Sequence, residues 1–164
     1  MYRSRLEQPS LHGRSRGTYA AVVPPVNTAF VKLNDSWNAE PNAPMPEVRV
    51  DGSDVVLVVF ANPWRFADFE EEERIELRFM NASRFRLGAT NDEGWYLGQC
   101  RFSGVAPTWG EFYEVSGDLR AELLSDWRCL RPAETEDRHF LFYLRDETFE
   151  CSARDWSMRR LPPL

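Results

Sequence analysis

The sequence is short of the residues on which most enzyme chemistry depends. It has two histidines, His12 and His139, and it lacks the phosphate-binding loops, nucleophile elbows and H-E-x-x-H helices that mark common catalytic sites. A zinc site built on His139 would need further ligands at a spacing that the sequence does not show. We therefore expect no catalytic residue, no metal and no cofactor. A carboxylate-dependent enzyme stays open as an alternative, because paired Asp and Glu can act as acid and base.

Cysteine and long apolar runs are also scarce. The three cysteines, Cys100, Cys129 and Cys151, form no C-x-x-C pair, and an odd unpaired set indicates free thiols in a reducing compartment. No apolar run approaches the roughly 18 residues that a membrane helix needs. The basic N-terminal segment has no apolar stretch of the kind found in secretory signals. These features predict a cytoplasmic protein with no membrane partner.

Lysine is almost absent. Lys32 is the only lysine among 20 basic Lys and Arg residues, and the formal net charge is −6. Lysine codons are rich in A and T, so this usage indicates a GC-rich bacterial genome. Four arginines against one glutamate lie in residues 1–16, which makes the rest of the chain more acidic than the total suggests. An acidic body argues against nucleic-acid binding, since that binding depends on neutralising phosphates.

The chain has the length and composition of one globular domain. It contains 164 residues, of which 43% are apolar and 13% aromatic, enough to form a substantial core. Residues 1–18 are rich in Arg, Ser and Gly without a hydrophobic period, and we predict a disordered tail there. Residues 19–164 are predicted to form a single β-rich domain.

Strand signals dominate the remainder. EVRVDGSDVVLVVF (47–60) predicts a hairpin with Asp51-Gly52 in the turn, and HFLFYLRDETFECSA (139–153) predicts a second hairpin with Asp146-Glu147 in the turn. In that register His139 pairs with Arg154 and points away from the core, whereas Cys151 points into it. TAFVKL and GEFYEVSGD are typical of single strands, and SGDLRAELLSDW is typical of a short helix. The predicted fold is α+β and β-rich: an antiparallel curved sheet or partly open barrel of about seven to nine strands with one or two short helices.

RIELRFM, RFRLGAT and WYLGQCRF, within residues 74–102, show the strongest alternation and predict a three-stranded meander. In that register four arginines share the sheet face that points away from the core, together with Gln99: Arg78, Arg84, Arg86 and Arg101. Like charges on one face need counter-charges. Either an ion-pair lattice with glutamates explains them, which we favour, or the face binds an anionic group, for which Arg is well suited.

DSWNAEPNAPMPEV (35–48) has the prolines of a linker but carries Trp37 and too little Gly and Ser for flexibility. We predict an ordered, extended strap. Trp37 then either anchors the strap in the core, which we favour, or contacts a ligand.

SGVAPTWGEFYEV (103–115) predicts a long loop that leads into a strand. Trp109 with Glu111 and Tyr113 has the composition of a recognition hot spot. The alternative is that Trp109 closes the end of the sheet, and we expect burial to dominate. If Arg86 and Glu111 converge near Trp109, they would line a pocket for an anionic ligand.

WNAEPNAP, APTWGEFYEV and FYLRDETFEC together resemble segments of small bacterial cytosolic proteins of unknown function, over residues 25–156. The resemblance implies a self-contained domain and no particular activity. Our first hypothesis is a binding or interaction protein, of the immunity or inhibitor type, that neutralises a basic protein partner. The second is a pocket for a small anionic ligand or a carboxylate-dependent enzyme, and the third is a mainly structural homodimer that uses its sheet edges. The chain is expected to be a monomer or homodimer. The candidate binding residues are Trp37, Arg78, Arg84, Arg86, Gln99, Arg101, Trp109, Glu111 and Tyr113.

Overall fold

The computed structural model describes residues 27–117 and 126–163. Within these ranges the chain forms ten strands and one short helix. They are β1 (Ala29–Lys32), β2 (Glu47–Asp51), β3 (Asp54–Phe60), β4 (Arg74–Met80), β5 (Arg84–Gly88), α1 (Asp92–Tyr96), β6 (Phe112–Ser116), β7 (Arg128–Cys129), β8 (Arg138–Tyr143), β9 (Thr148–Ala153) and β10 (Asp155–Leu161). The predicted tail at 1–18 and most of the helix predicted around 116–127 lie outside the described residues.

The strands form two antiparallel sheets. One has six strands in the order β1-β6-β8-β9-β5-β7, and the other has four in the order β10-β4-β3-β2. The predicted antiparallel, β-rich class is confirmed. The single curved sheet or partly open barrel is wrong, because the two sheets do not close on each other, and the strand number is slightly above the predicted range. No helix in the described ranges has the length and apolar character needed to cross a membrane.

The main core lies between the two sheets and is dominated by aromatic rings. Phe79 on β4 contacts three phenylalanines of the six-stranded sheet, with ring centroids 5.1 Å from Phe149, 5.4 Å from Phe140 and 6.1 Å from Phe112. Trp37 is buried in the same core, which agrees with the anchoring interpretation of the strap. Alternating apolar residues on facing strands therefore join the sheets into one packed unit.

The predicted meander is wrong because the chain changes sheets at residues 81–83. The backbone amide of Ala82 donates to the carbonyl of Ser53, which belongs to the β2–β3 turn, over 2.9 Å. The next amide, that of Ser83, donates to the carbonyl of Ser152 on β9 over 2.8 Å. Consecutive amides thus bond to different sheets, and β5 pairs with β9 and β7 instead of β4.

The third strand of that predicted meander is replaced by α1 and a series of turns. The Asn91 side chain caps the helix by accepting from the amide of Gly94 at 2.9 Å. Gly98, with φ of 81°, follows the C-cap in the left-handed conformation that ends many helices. Trp95 lies on this helix and is buried. A third strand of the predicted meander would instead have placed it on the sheet face that carries the arginines.

Both predicted hairpins are present. The β2–β3 hairpin turns at Gly52-Ser53, one residue later than predicted, because Asp51 still pairs with Asp54. The φ of Gly52 is 62°, a left-handed value that favours glycine. The β8–β9 hairpin is displaced by two residues from the predicted register, with Tyr143 opposite Thr148 and His139 opposite Ser152. A shift of two preserves the side-chain face, so Cys151 still points into the core and His139 still points away from it.

The other face of the six-stranded sheet is also covered. Residues 89–110, which include α1, pack over it and form a second apolar cluster around Trp95, Phe102, Tyr113 and Tyr143. Strands β8 and β9 are consequently buried on both faces. Polar groups on this covered face must find partners inside the protein, and the candidate sites lie there.

Candidate functional site

Arg78 does not belong to an arginine face. It lies on β4, where its guanidinium donates to Asp51 at 2.7 Å and to Asp54 at 2.9 Å. These two hydrogen bonds raise the pKa of Arg78 and hold it in its charged form. The favoured ion-pair interpretation therefore accounts for this residue, on the four-stranded sheet.

The other three predicted arginines do meet, over the ring of Trp127, and two of them contact a carboxylate that was not predicted. Glu150 on β9 is only 1% exposed. Its Oε2 accepts from Arg101 at 2.9 Å, and its Oε1 lies 3.9 Å from Nε of Arg86. The guanidinium of Arg84 lies over the Trp127 ring, 4.3 Å from its centroid. We call Glu150 and these three arginines the Glu150 cluster.

His139 contacts Glu150 and is included in the Glu150 cluster. Its Nε2 lies 2.8 Å from Oε2 of Glu150, and its Nδ1 lies 3.1 Å from the hydroxyl oxygen of Ser152. In the neutral tautomer that fits both contacts, Nε2–H donates to Glu150 and Nδ1 accepts from Ser152. The three groups have the types of a catalytic triad, but all are buried. Ser152 is only 6% exposed and its hydroxyl contacts His139, which favours a structural role over attack on a substrate.

Burial keeps His139 neutral. It lowers the pKa of His139; the hydrogen bond and charge of Glu150 oppose this lowering, while the charges of Arg101 and Arg84 add to it. For Glu150 burial raises the pKa, but the hydrogen bond from His139 and the positive charges of Arg101 and Arg86 outweigh it and lower the pKa overall. The cluster is thus a charged carboxylate beside a neutral imidazole.

We expect the His139 pKa to make folding sensitive to mild acid. In the unfolded chain His139 has its ordinary pKa of 6.5 and binds a proton below that pH, whereas in the folded protein the buried imidazole stays neutral. The free energy of unfolding therefore falls as the pH decreases through 6.5. Between pH 7.5 and 5.5 the loss should reach at most about 1.4 kcal/mol for one proton. Urea unfolding at both pH values, on the wild type and on His139→Gln, measures it. An equal loss in the variant would contradict this origin.

A second polar centre forms where the strap meets β6. Glu111, at 8% exposure, precedes β6 and points to the covered face of the six-stranded sheet. Its Oε2 accepts from Asn34 at 2.9 Å and lies 3.2 Å from Nζ of Lys32. Nδ2 of Asn38 is 3.4 Å from the same oxygen, while Oε1 accepts from Arg65 at 3.0 Å. One carboxylate thereby ties β1, the strap and the turn after β3 together.

Beside Glu111 lies a cavity of about 360 Å³ that we call the strap pocket, lined by Asn38, Arg65, Trp109, Glu111, Tyr143 and Arg145 among others. Trp109 stacks on Tyr143 with centroids 4.7 Å apart and planes 27° apart. Burial raises the pKa of Tyr143, so the phenol stays neutral. The pocket therefore has one aromatic wall.

Arginine side chains supply the pocket's positive charge. Arg65 and Arg145 are half-exposed, with side-chain exposures of 50% and 54%. Arg145 donates to the carbonyl of Asn42, which holds it against the strap. Glu40 also lines the pocket, and its carboxylate accepts hydrogen bonds from the backbone amides of Asn42 and Ala43. An anion entering the pocket would thus meet two guanidinium groups.

The predicted pocket residues are only partly brought together. Trp109 and Glu111 line the strap pocket, but Arg86 is bonded to Asp126 at 3.3 Å and belongs to the Glu150 cluster. The convergence of Arg86 with Glu111, which would have favoured a pocket between them, is therefore not found, because the two residues do not lie on neighbouring strands of one meander. Sequence reasoning missed Arg65 and Arg145, which lie in turns with no periodic signal.

The remaining candidates have supporting positions. Tyr113 is buried, and its hydroxyl donates to the carbonyl of Thr108 at 3.1 Å, which holds the loop that carries Trp109. Gln99 is exposed in the turn after α1 and does not line the strap pocket. Trp37 is in the core, so packing accounts for it.

Comparisons with known proteins found no matching family model, no matching curated protein and no matching solved structure. The resemblance to small bacterial proteins therefore stays a prediction, and the function must be argued from the sites.

Proposed function

We propose that the protein is a binding module that holds a small anionic ligand in the strap pocket. The observation that carries this proposal is the placement of two half-exposed arginines, Arg65 and Arg145, in one cavity with the Trp109–Tyr143 stack. The arginines would meet a carboxylate or phosphate, and the aromatic wall would meet a flat or apolar part. The volume of about 360 Å³ lies at the lower end of the range for small-molecule sites, roughly 300 to 1,000 Å³.

Two carboxylates and two guanidinium groups line the pocket, and Arg145 also lies 3.8 Å from Asp146. The two arginine side chains are half-exposed, and this exposure favours an anion over a cation. The carboxylate of Glu111 is offset by Lys32 at 3.2 Å and Arg65 at 3.0 Å. Arg65 donates through one terminal nitrogen, and we expect its remaining N–H groups, with those of Arg145, to contact the ligand. Because the guanidinium groups are held by Glu111 and by the strap, little side-chain freedom would be lost on binding.

The bonding of Glu111 favours binding over acid–base catalysis. A carboxylate offers about four acceptor positions, and Glu111 contacts four donor groups on Lys32, Asn34, Asn38 and Arg65. A general base must accept a proton from a substrate within hydrogen-bonding distance. Glu111 is instead committed to holding the strap, which makes it a positioning residue for the pocket.

We expect phenyl phosphate, used as a probe with one anionic group and one ring, to bind saturably to the full-length protein. Arg145→Ala removes a guanidinium and Trp109→Ala removes the aromatic wall, so each should weaken binding by at least about tenfold. Trp109→Ala should also cost about 1–3 kcal/mol of stability, because its ring is half-buried on Tyr143. Isothermal titration calorimetry measures binding, and urea unfolding measures stability.

Arg49→Ala is the matched control. Arg49 is 51% exposed and makes one ion pair, at 3.2 Å to Glu76 on the four-stranded sheet, so its removal should leave phenyl phosphate binding unchanged. Inorganic phosphate and benzene, tested separately, should bind more weakly than the combined probe. Equal affinity in wild type, Arg145→Ala and Arg49→Ala, or no binding of any anionic aromatic probe, would overturn the proposal.

A further inference from the structure

A separate surface lies on the other side of the strap. Met45, Phe60, Pro63 and Trp64 line a groove of about 300 Å³ together with acidic residues. Trp64 is 72% exposed and Met45 is 64% exposed. All six tryptophans lie in the described part of the chain, and Trp64 is the only exposed one. A large exposed apolar pair in a concave site is typical of an interaction surface.

The rim of this groove is acidic. Glu40, Glu71 and Glu72 line it, and no basic residue does. The arginine nearest in sequence to Trp64, Arg65, turns to Glu111 in the strap pocket, and Arg160 is paired with Glu73. Glu71 and Glu72 form no ion pair with any residue that the structure describes. The groove therefore presents apolar side chains beside negative charge. Its electrostatic complement is a segment that carries an apolar anchor between basic residues.

The groove is held in shape by backbone hydrogen bonds. The amide of Phe60 donates to the carbonyl of Pro44 at 2.9 Å, and the amide of Ala61 donates to the carbonyl of Glu73 at 2.8 Å. Met45 and Glu72, which both line the groove, have left-handed backbones, with φ of 45° and 63°. Residues other than glycine adopt this conformation only where their surroundings impose it. A preformed groove loses little conformational entropy when a partner docks.

We propose that this groove is a docking site for a basic, amphipathic segment of a protein partner, with Trp64 as its central contact. Trp64 supplies aromatic area of the kind that dominates binding energy in interfaces, and the glutamates supply orientation and attraction at long range. The site shares only Glu40 with the strap pocket. It therefore stands independently of the anionic ligand proposed above, and it gives the inhibitor-type hypothesis a specific surface.

The test uses a fluorescein-labelled peptide built from the repeat Arg-Leu-Arg-Arg-Leu, and a matched peptide with glutamate in place of arginine. Fluorescence anisotropy with the full-length protein should show saturable binding of the basic peptide and none of the acidic one. Trp64→Ala should weaken binding by at least about tenfold. The double substitution Glu71→Gln and Glu72→Gln should weaken it and flatten its salt dependence.

Tyr96→Ala is the control for Trp64→Ala, because Tyr96 is another aromatic side chain, 74% exposed, outside the groove. It should leave peptide affinity unchanged. If Trp64→Ala binds the basic peptide as tightly as wild type, only the net charge attracts it, and the proposal is overturned.

Two further measurements test whether the groove is occupied by the chain's own N-terminus or by a second copy of the protein. Residues 1–16 are themselves basic, with four arginines. Removal of residues 1–18 should leave peptide affinity unchanged; an increase of tenfold or more would mean that the chain's own terminus competes for the groove, against an external partner. Sedimentation should show the same mass for wild type and Trp64→Ala, whereas a Trp64-dependent dimer would identify a second copy as the occupant and overturn the proposal.

Discussion

Phe79→Ala should destabilise the protein by about 3–5 kcal/mol, the usual cost of truncating a fully buried phenylalanine. Phe79 is completely buried and joins the four-stranded sheet to β6, β8 and β9 through three ring contacts. The substitution removes apolar area from the core and leaves a cavity that the surrounding strands cannot fill without moving. Urea unfolding at neutral pH measures the loss. In a chain of this size each kcal/mol should lower the melting temperature by about 2–4 °C.

Two variants control this experiment. Phe79→Leu retains most of the side-chain volume, so it should recover much of the lost stability. Leu97→Ala removes an apolar side chain that is 67% exposed and should change stability by no more than about 0.5 kcal/mol. A loss below about 1 kcal/mol for Phe79→Ala would show that the two sheets do not share this core.

The second large effect is expected at Glu150. Glu150→Gln keeps an acceptor for His139 but removes the negative charge that faces Arg86 and Arg101. Loss of one partner from a buried ion pair costs about 3–5 kcal/mol, because the opposite charge stays in a poorly solvated environment. Arg101 and Arg86 are nearly buried, with side-chain exposures of 9% and 11%. We therefore expect a loss in this range by urea unfolding.

Glu114→Gln is the matched comparison for that variant. Glu114 accepts two hydrogen bonds from Arg138, at 2.9 and 2.6 Å, but both side chains are partly exposed. Solvent screens this pair, so its loss should cost less than about 1 kcal/mol. If the two glutamine variants were equally stable, the Glu150 cluster would not be the buried charge centre that its geometry indicates.

Local signals in the sequence were sufficient for several elements. The Asp-Gly turn and the alternation on both sides of it predict the β2–β3 hairpin without reference to the rest of the chain. Alternation along β8 and β9 likewise predicts that Cys151 points to the core and His139 away from it. That result survived a register error of two residues, because side-chain orientation in a strand repeats every two positions.

In the segment that forms α1, two local signals conflict: an apolar pattern that suits a strand and capping residues that suit a short helix. Aromatic and apolar residues after a short polar stretch predict a strand in the segment that follows β5. The capping signals of α1, Asn91 before it and Gly98 after it, are local and readable. The helix has only five residues, too short for its hydrophobic period to compete with a strand pattern.

The sheet change at residues 81–83 could not be read from the sequence. A short turn between two alternating segments suits both a hairpin and a crossing from one sheet to the other. The choice depends on where the amides of Ala82 and Ser83 find acceptors, and those acceptors, on Ser53 and Ser152, come from distant parts of the chain. Because the sequence predicts a hairpin at this position, it places Arg78 on the same sheet as Arg84 and Arg86 and allows Arg86 to lie close to Glu111.

By itself, the sequence determined the antiparallel β class, the apolar face of most strands and the shared face of Arg84 and Arg86, because these follow from alternation along single strands. Only the tertiary structure decided what these residues meet. Glu111 bonds to Arg65 and Asn34, which lie 46 and 77 positions away along the chain, and the counter-charge of Arg101 is Glu150, 49 positions away. A buried charge is stable only beside its partners, and the packing of two sheets and a covering loop determines which partners are within reach.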